Sequence, residues 1–275
     1  MKQWFGLFAM IRIGNASMAS LGTALGYWIG SETYHLPTLF VLMGATITAL
    51  GYGNVVNDII DVDSDKIAHP TRPLVTGVVS KSVALYFATI LAFLALILGF
   101  FVSVMTGLAV VIPLILLTLY ALYLKGTILW GNIVVALLVA YTLLFGALGG
   151  TIDPLIVPAI LAALGNFIRE IMKDFADYEG DSAAGIRTSA HLSSTVEQLL
   201  VVGGGLLYLL FLPYPFVKGD FGEVYLLIVF VAIFPLHTLW MWQWRRKQYK
   251  SVAKLLKIQM VLGLVAIAFD QFFKG

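Results

Sequence analysis

The chain is 275 residues long, 60% hydrophobic and 12% charged, with a mean hydropathy of +0.94; soluble domains run closer to half apolar and a quarter charged. A net charge of +2 offers no electrostatic footprint for nucleic acid, and the lack of cysteine excludes disulfides and thiolate chemistry. This is the composition of a polytopic membrane protein.

In chain order, nine apolar segments are predicted, at roughly 6–30, 37–57, 82–106, 108–124, 128–150, 154–173, 195–215, 222–243 and 251–272, most of them close to the ~20 residues a membrane helix requires. The runs are continuous and do not alternate, so helices are predicted and a barrel is not. The stretch MKQWFGLFAMIRIGN has no small-residue cleavage site after a short apolar core, and it reads as the start of the first span. With nine spans and the N-terminus in the cytoplasm, 15 of the 17 Lys and Arg fall on the inner side, and only Lys218 and Lys274 fall outside. The positive-inside rule predicts that bias. The expected fold is therefore all-α: one multi-pass domain over residues 1–275 in the cell membrane.

The acidic residues gather at two places. Of 15 Asp and Glu, four lie in 58–65 and five in 170–181, both at predicted cytoplasmic span ends, after spans 2 and 6. The segments NDIIDVDSD (57–65) and KDFADYEGD (173–181) share the pattern x-D-x-x-D-x-x-x-D. Each follows a Gly-Asn pair (Gly53-Asn54, Gly165-Asn166) and precedes an arginine (Arg72, Arg187). This suggests a duplicated helical unit. If the helices run on through both motifs, Asn57, Asp58, Asp61 and Asp65 share an arc of roughly 100°, as do Asn166, Glu170, Asp174, Asp177 and Asp181, while Asp63 and Glu179 point elsewhere. Like charges at these spacings repel. A solvated helix end accounts for one such cluster more readily than for two. Oxygen ligands without His or Cys suit hard cations, above all Mg²⁺ held together with substrate phosphates. The expectation is two facing carboxylate walls around Mg²⁺ and a diphosphate. His69 and His191 read as loop residues.

At these residues the chain resembles the UbiA-type intramembrane prenyltransferases. Their first motif is matched by Asn57, Asp58, Asp61 and Asp65 followed by Arg72-Pro73. Their second is matched by Lys173, Asp174, Asp177 and Asp181, and a weaker third match is LYALYLKGTILWGN with Tyr120, Lys125 and Gly131-Asn132. The resemblance covers essentially the whole chain. It implies that Asn57, Asp58, Asp61, Asp65, Asp174, Asp177 and Asp181 hold Mg²⁺ and the diphosphate of a prenyl donor. Asn57, Asp61, Asp65, Asp177 and Asp181 are then the catalytic set. Arg72, Lys173 and Lys125 become candidates for the diphosphate oxygens, with Tyr120 nearby in sequence. Arg12, inside the first span, either snorkels to the interface or serves the site. The connectors 62–80 and 178–193 form the expected lid, with Gly77, Gly180 and Gly185 permitting movement.

The resemblance also implies the chemistry: ionisation of an allylic diphosphate assisted by Mg²⁺, in a bundle that excludes water. The short chain and the RIGNASMASLGT start resemble those members of the family that prenylate the hydroxyl of geranylgeranylglyceryl phosphate, and that resemblance implies this acceptor and an ether membrane lipid as product. An aromatic acceptor such as 4-hydroxybenzoate or another quinone precursor stays open. A divalent-cation transporter would place its carboxylates near mid-membrane in inverted repeats, unlike these helix-end clusters.

Overall fold

The computed structural model describes residues 2–183 and 185–274, and among these every regular element is helical. Seven helices are long and apolar enough to cross a membrane: Leu36–Ile60, Lys81–Val102, Val104–Leu124, Asp153–Ser182, Ser194–Val217, Glu223–Arg245 and Tyr249–Lys274. The first predicted span is divided into α1 (Lys2–Ile11) and α2 (Ile13–Gly30), broken at Arg12. The fifth is the shorter α7 (Trp130–Gly146). Helix α5 (Lys81–Val102) exposes Leu85, Ile90, Phe93, Ile97 and Phe101. A row of large apolar side chains on the outside suits lipid and not water.

Local sequence sets several helix starts. Ser80 accepts from the Val83 N–H at the head of α5, Ser103 from Thr106 at the head of α6 (Val104–Leu119), and Ser193 from Val196 at the head of α9 (Ser194–Phe211). Pro37 stands in the first turn of α3 (Leu36–Ile60), where its missing N–H costs nothing.

The chain forms two compact units. One holds the residues up to Lys125 together with Phe145–Gly150, and the other holds Gly126–Leu144 and the rest from Thr151. In the first, Leu7, Met10 and Ile11 of α1 pack with Val55 of α3 and Ala84, Ala88 and Leu91 of α5. Two glycines permit the backbone crossing beside α2. A Cβ on Gly146 would collide with the Thr23 carbonyl oxygen, and one on Gly150 with that of Gly30. In the second unit, Ile168, Ile171 and Met172 of α8 (Ile156–Ala183) meet Val201 of α9, Trp240 of the helix Phe234–Arg245, and Val252 and Leu256 of the helix Tyr249–Lys274. Each unit carries one of the two acidic segments.

Candidate active site

The first acidic segment is not one unbroken helix. Helix α3 ends at Ile60, Asp61 sits at φ −81, ψ 0, and α4 (Val62–Ala68) follows. The Asp61 N–H still bonds Asn57 O at 2.9 Å and the Asp65 N–H bonds Asp61 O at 2.8 Å. The i, i+4 register therefore survives the break, and Asp58, Asp61 and Asp65 are all buried. Asp63 is exposed and takes a hydrogen bond from Lys66 at 2.7 Å, which holds its carboxyl below the ordinary range.

Each buried carboxylate has a cation. Arg12 Nη2 lies 2.6 Å from Asp58 Oδ1, and Arg72 bridges Asp58 (3.3 Å) and Asp65. Lys125 pairs with Asp61, which also accepts from Asn57 Nδ2 at 2.5 Å. The structure thus brings together seven of the residues predicted in this half: Arg12, Asn57, Asp58, Asp61, Asp65, Arg72 and Lys125. Three carboxylates against three cations relieves the like-charge repulsion that the bare motif carries.

Two backbone irregularities aim the distant cations. Arg12 is left-handed, at φ 55 and ψ 57, which ends α1 and starts α2. Lys125 follows a π-helical turn, Tyr120–Leu124, closed by the Lys125 N–H on Tyr120 O at 3.0 Å. Single π-turns inside helices recur at functional sites. Tyr120 itself is partly buried in that turn.

The second segment stays helical within α8. Glu170 is buried and takes bonds of 2.7 Å from both Arg169 and Lys173. Lys173 therefore meets Glu170, a member of the predicted carboxylate arc that stands outside the predicted metal set. Asp174 is held through one oxygen: Oδ2 accepts from Asn132 Nδ2 (2.9 Å), Ser189 N (3.2 Å) and Ser189 Oγ (2.6 Å). Asp177 is exposed, with no hydrogen bond or ion pair among the described residues. Asp181 is partly buried near the helix end, and its carbonyl receives the Ile186 N–H at 2.9 Å. The predicted lid segment 178–193 includes Ala184, which lies outside the described residues. Of its glycines, Gly180 is helical within α8 and Gly185 is left-handed at φ 72, as Gly77 is at φ 71 in the other connector.

Sequence reasoning placed Glu170 in the second carboxylate arc but missed Asn54, Arg169, Asn132 and Ser189 as parts of the polar framework. Asn132 and Asn54 stood in Gly-Asn pairs already visible as repeated signals; Ser189 carried no local signal.

The donor set suits a hard divalent cation. Among the described residues no three His, Asp or Glu side chains are grouped as a metal cage. The oxygen inventory still fits Mg²⁺: Asn57 Oδ1 is buried without a partner in this structure, and the exposed Asp177 offers a free carboxylate. Residues 166–181 hold five acids, Glu170, Asp174, Asp177, Glu179 and Asp181, against Arg169 and Lys173. That excess of negative charge is what a metal would offset.

Comparison with known proteins places the chain in a family. Residues 19–263 match the family described as the UbiA prenyltransferase family. The chain belongs to that family, a class of membrane-embedded enzymes that transfer prenyl groups. It is 34% identical over 236 residues to digeranylgeranylglyceryl phosphate synthase of Natronomonas pharaonis, covering 85% of each chain. To the synthase of the same name from Saccharolobus solfataricus it is 31% identical over 280 residues, covering 97% of each. A solved structure of digeranylgeranylglyceryl phosphate synthase superposes with a TM-score of 0.83 at 28% identity, covering 98% of this chain and 99% of the other. A UbiA homologue from Archaeoglobus fulgidus, bound to DMAPP and Mg²⁺, shares the fold with a TM-score of 0.74 at 15% identity, covering 95% and 99%.

Proposed function

We propose that this protein transfers a geranylgeranyl group from its diphosphate to the free hydroxyl of geranylgeranylglyceryl phosphate, forming an ether membrane lipid. The observation that carries the reading is the 31% identity that runs through 97% of both this chain and the Saccharolobus synthase. Relatedness of that extent reaches beyond the acidic motifs into the helices that would receive two long prenyl chains.

The whole chain is one catalytic domain, with an acidic segment in each unit. Asn57, Asp61 and Asp65 in one segment, and Asp177 and Asp181 in the other, are the residues that would hold Mg²⁺. Bound there, Mg²⁺ supplies charge neutralisation of the diphosphate leaving group. Arg72, Arg12 and Lys125, each now on a carboxylate, have further N–H donors to offer the diphosphate oxygens, as Lys173 has in the second segment. Asp58 through Oδ1 and Asp174 through Oδ2 already engage protein donors and hold those donors in place. In the reaction the allylic C–O bond breaks, diphosphate departs, and the acceptor oxygen forms the new ether bond as its proton leaves. An apolar surround keeps water from the allylic cation.

The seven long helices, the short α7 and the divided α1–α2 together supply the nine predicted crossings, with the N-terminus and both acidic segments on the cytoplasmic side. The charge bias of 15 cations in 17 supports that orientation.

The test is a transfer assay. Purified protein is given geranylgeranyl diphosphate with either geranylgeranylglyceryl phosphate or aromatic acid acceptors, and products are read by mass spectrometry. The digeranylgeranyl ether is expected. Prenylation of 4-hydroxybenzoate alone would overturn the lipid reading while leaving prenyl transfer in place.

A further inference from the structure

Asn54 lies in an apolar span, where an unpartnered side-chain amide is costly. Its Nδ2 donates to the carbonyl oxygen of Ile11 at 2.9 Å. Ile11 is the last residue of α1, and the next residue, Arg12, adopts the left-handed conformation that a side chain with a Cβ adopts only when its surroundings enforce it. The left-handed turn takes the Asn15 N–H to Arg12 O at 2.8 Å, and Asn54 meets the Ile11 carbonyl. Four residues further along α3, on the same helix face, Asp58 receives Arg12 Nη2 at 2.6 Å. Asn54 and Asp58 thus grip consecutive residues, one by its backbone and the other by its guanidinium.

We propose that Asn54 is a positioning residue of the prenyl-transfer site: its bond to Ile11 O maintains the left-handed break at Arg12 and so keeps the Arg12 guanidinium on Asp58. The inference rests on the proposed transfer reaction only for its kinetic consequence. Without the amide, the Ile11 carbonyl loses its partner and the break loses its enforcement. The two helices can then straighten, and the Arg12 side chain, about a third exposed, leaves the carboxylate cluster.

Two measurements test it. The first is a double-mutant cycle on donor kinetics with Asn54→Ala, Arg12→Ala and the pair. Asn54→Ala should raise the KM for geranylgeranyl diphosphate by about five- to tenfold, the scale of one lost buried hydrogen bond. It should add nothing once Arg12 is already alanine. Additive losses, or a fall in kcat at unchanged KM, would overturn the proposal, because a purely structural asparagine acts regardless of Arg12. The second needs no activity. The chain has no cysteine, so spin labels at Phe5→Cys on α1 and Tyr86→Cys on α5, both exposed, report the distance between these helices. Asn54→Ala should broaden or shift that distance, and an unchanged distribution would overturn the break-holding role. If Asn54→Ala does not fold, Asn54→Leu, which keeps the volume and removes the donor, is carried through both measurements, where the same results support or overturn the role. Absence of any prenyl transfer by the wild type would remove the proposed function, while the spin-label distance would still decide the role of Asn54.

Discussion

Oδ2 of Asp174 lies 2.6 Å from the Ser189 hydroxyl and 3.2 Å from the Ser189 backbone nitrogen, fifteen residues further along the chain. With Asn132 as a third donor, this single oxygen ties the 3₁₀ turn Ser189–His191 back to α8. The first Asp of the repeated pattern therefore differs in its duties from the second and third.

Asp174→Ala should be destabilising, because three donors lose their acceptor at once. The expected cost is about 2–3 kcal/mol, against ~1 kcal/mol for Ser189→Ala, or a few degrees of melting temperature at roughly 2–4 °C per kcal/mol. Thermal unfolding in detergent checks this. Should Asp174→Ala melt with the wild type, the tie between helix and turn is not holding anything.

Asp177→Ala should behave in the opposite way. The side chain is exposed and makes no hydrogen bond among the described residues, so melting should not move, while prenyl transfer falls below about a tenth. Asp61→Ala should lose activity and also some stability. Relief of repulsion alone would have left it neutral or better, but Asp61 is buried and paired with Lys125 and Asn57. Because Lys125 is partly exposed and can turn to water, the cost stays near 1 kcal/mol. Equal activity of Asp177→Ala and wild type would remove the second segment from the site.

Asp63 and Asp65 are two residues apart and should differ sharply. Asp63→Asn removes an exposed pair with Lys66 and should alter turnover less than twofold, since such pairs contribute little. Asp65→Asn removes the partner of Arg72 from a buried cluster and should lower turnover by more than tenfold. Comparable losses in the two variants would contradict the inward stripe of Asp58, Asp61 and Asp65.

Removal of divalent ions with a chelator should abolish transfer, and Mg²⁺ or Mn²⁺ should restore it, because the oxygen donors favour hard cations. Helical content by circular dichroism should persist throughout, as the buried cores are built of apolar side chains. Turnover in thoroughly chelated buffer would exclude the metal-assisted step.

The helices and the two acidic segments were legible from residue patterns because both are local signals: apolar runs of the right length, and charge where charge is otherwise avoided. The breaks were not. Nothing in MIRIGN marks Arg12 as left-handed, since arginine is an ordinary helix former; the break is enforced from Asn54 and Asp58, more than forty residues away. The stop at Asp61 escaped notice for a related reason, as its hydrogen-bond register continues on both sides. Ser189 was hidden because a serine in a connector looks like any solvated turn residue until the fold returns it to Asp174. The partner of Asn54 could have been sought, if not named, because an amide in an apolar span has to find one.

The π-turn at Tyr120–Leu124 makes Lys125 a question of phase as well as of charge. Such a turn holds one residue more than an α-helix would need for the same advance. Deleting exposed Leu122 would leave every cation and carboxylate of the first cluster in the chain. The helix would relax to α geometry, and the lysine, now four residues after Tyr120, would keep the phase that aims it at Asp61. A second deletion would find no surplus residue to absorb it, and the lysine would then turn by about 100° around the axis, away from Asp61, silenced without being replaced.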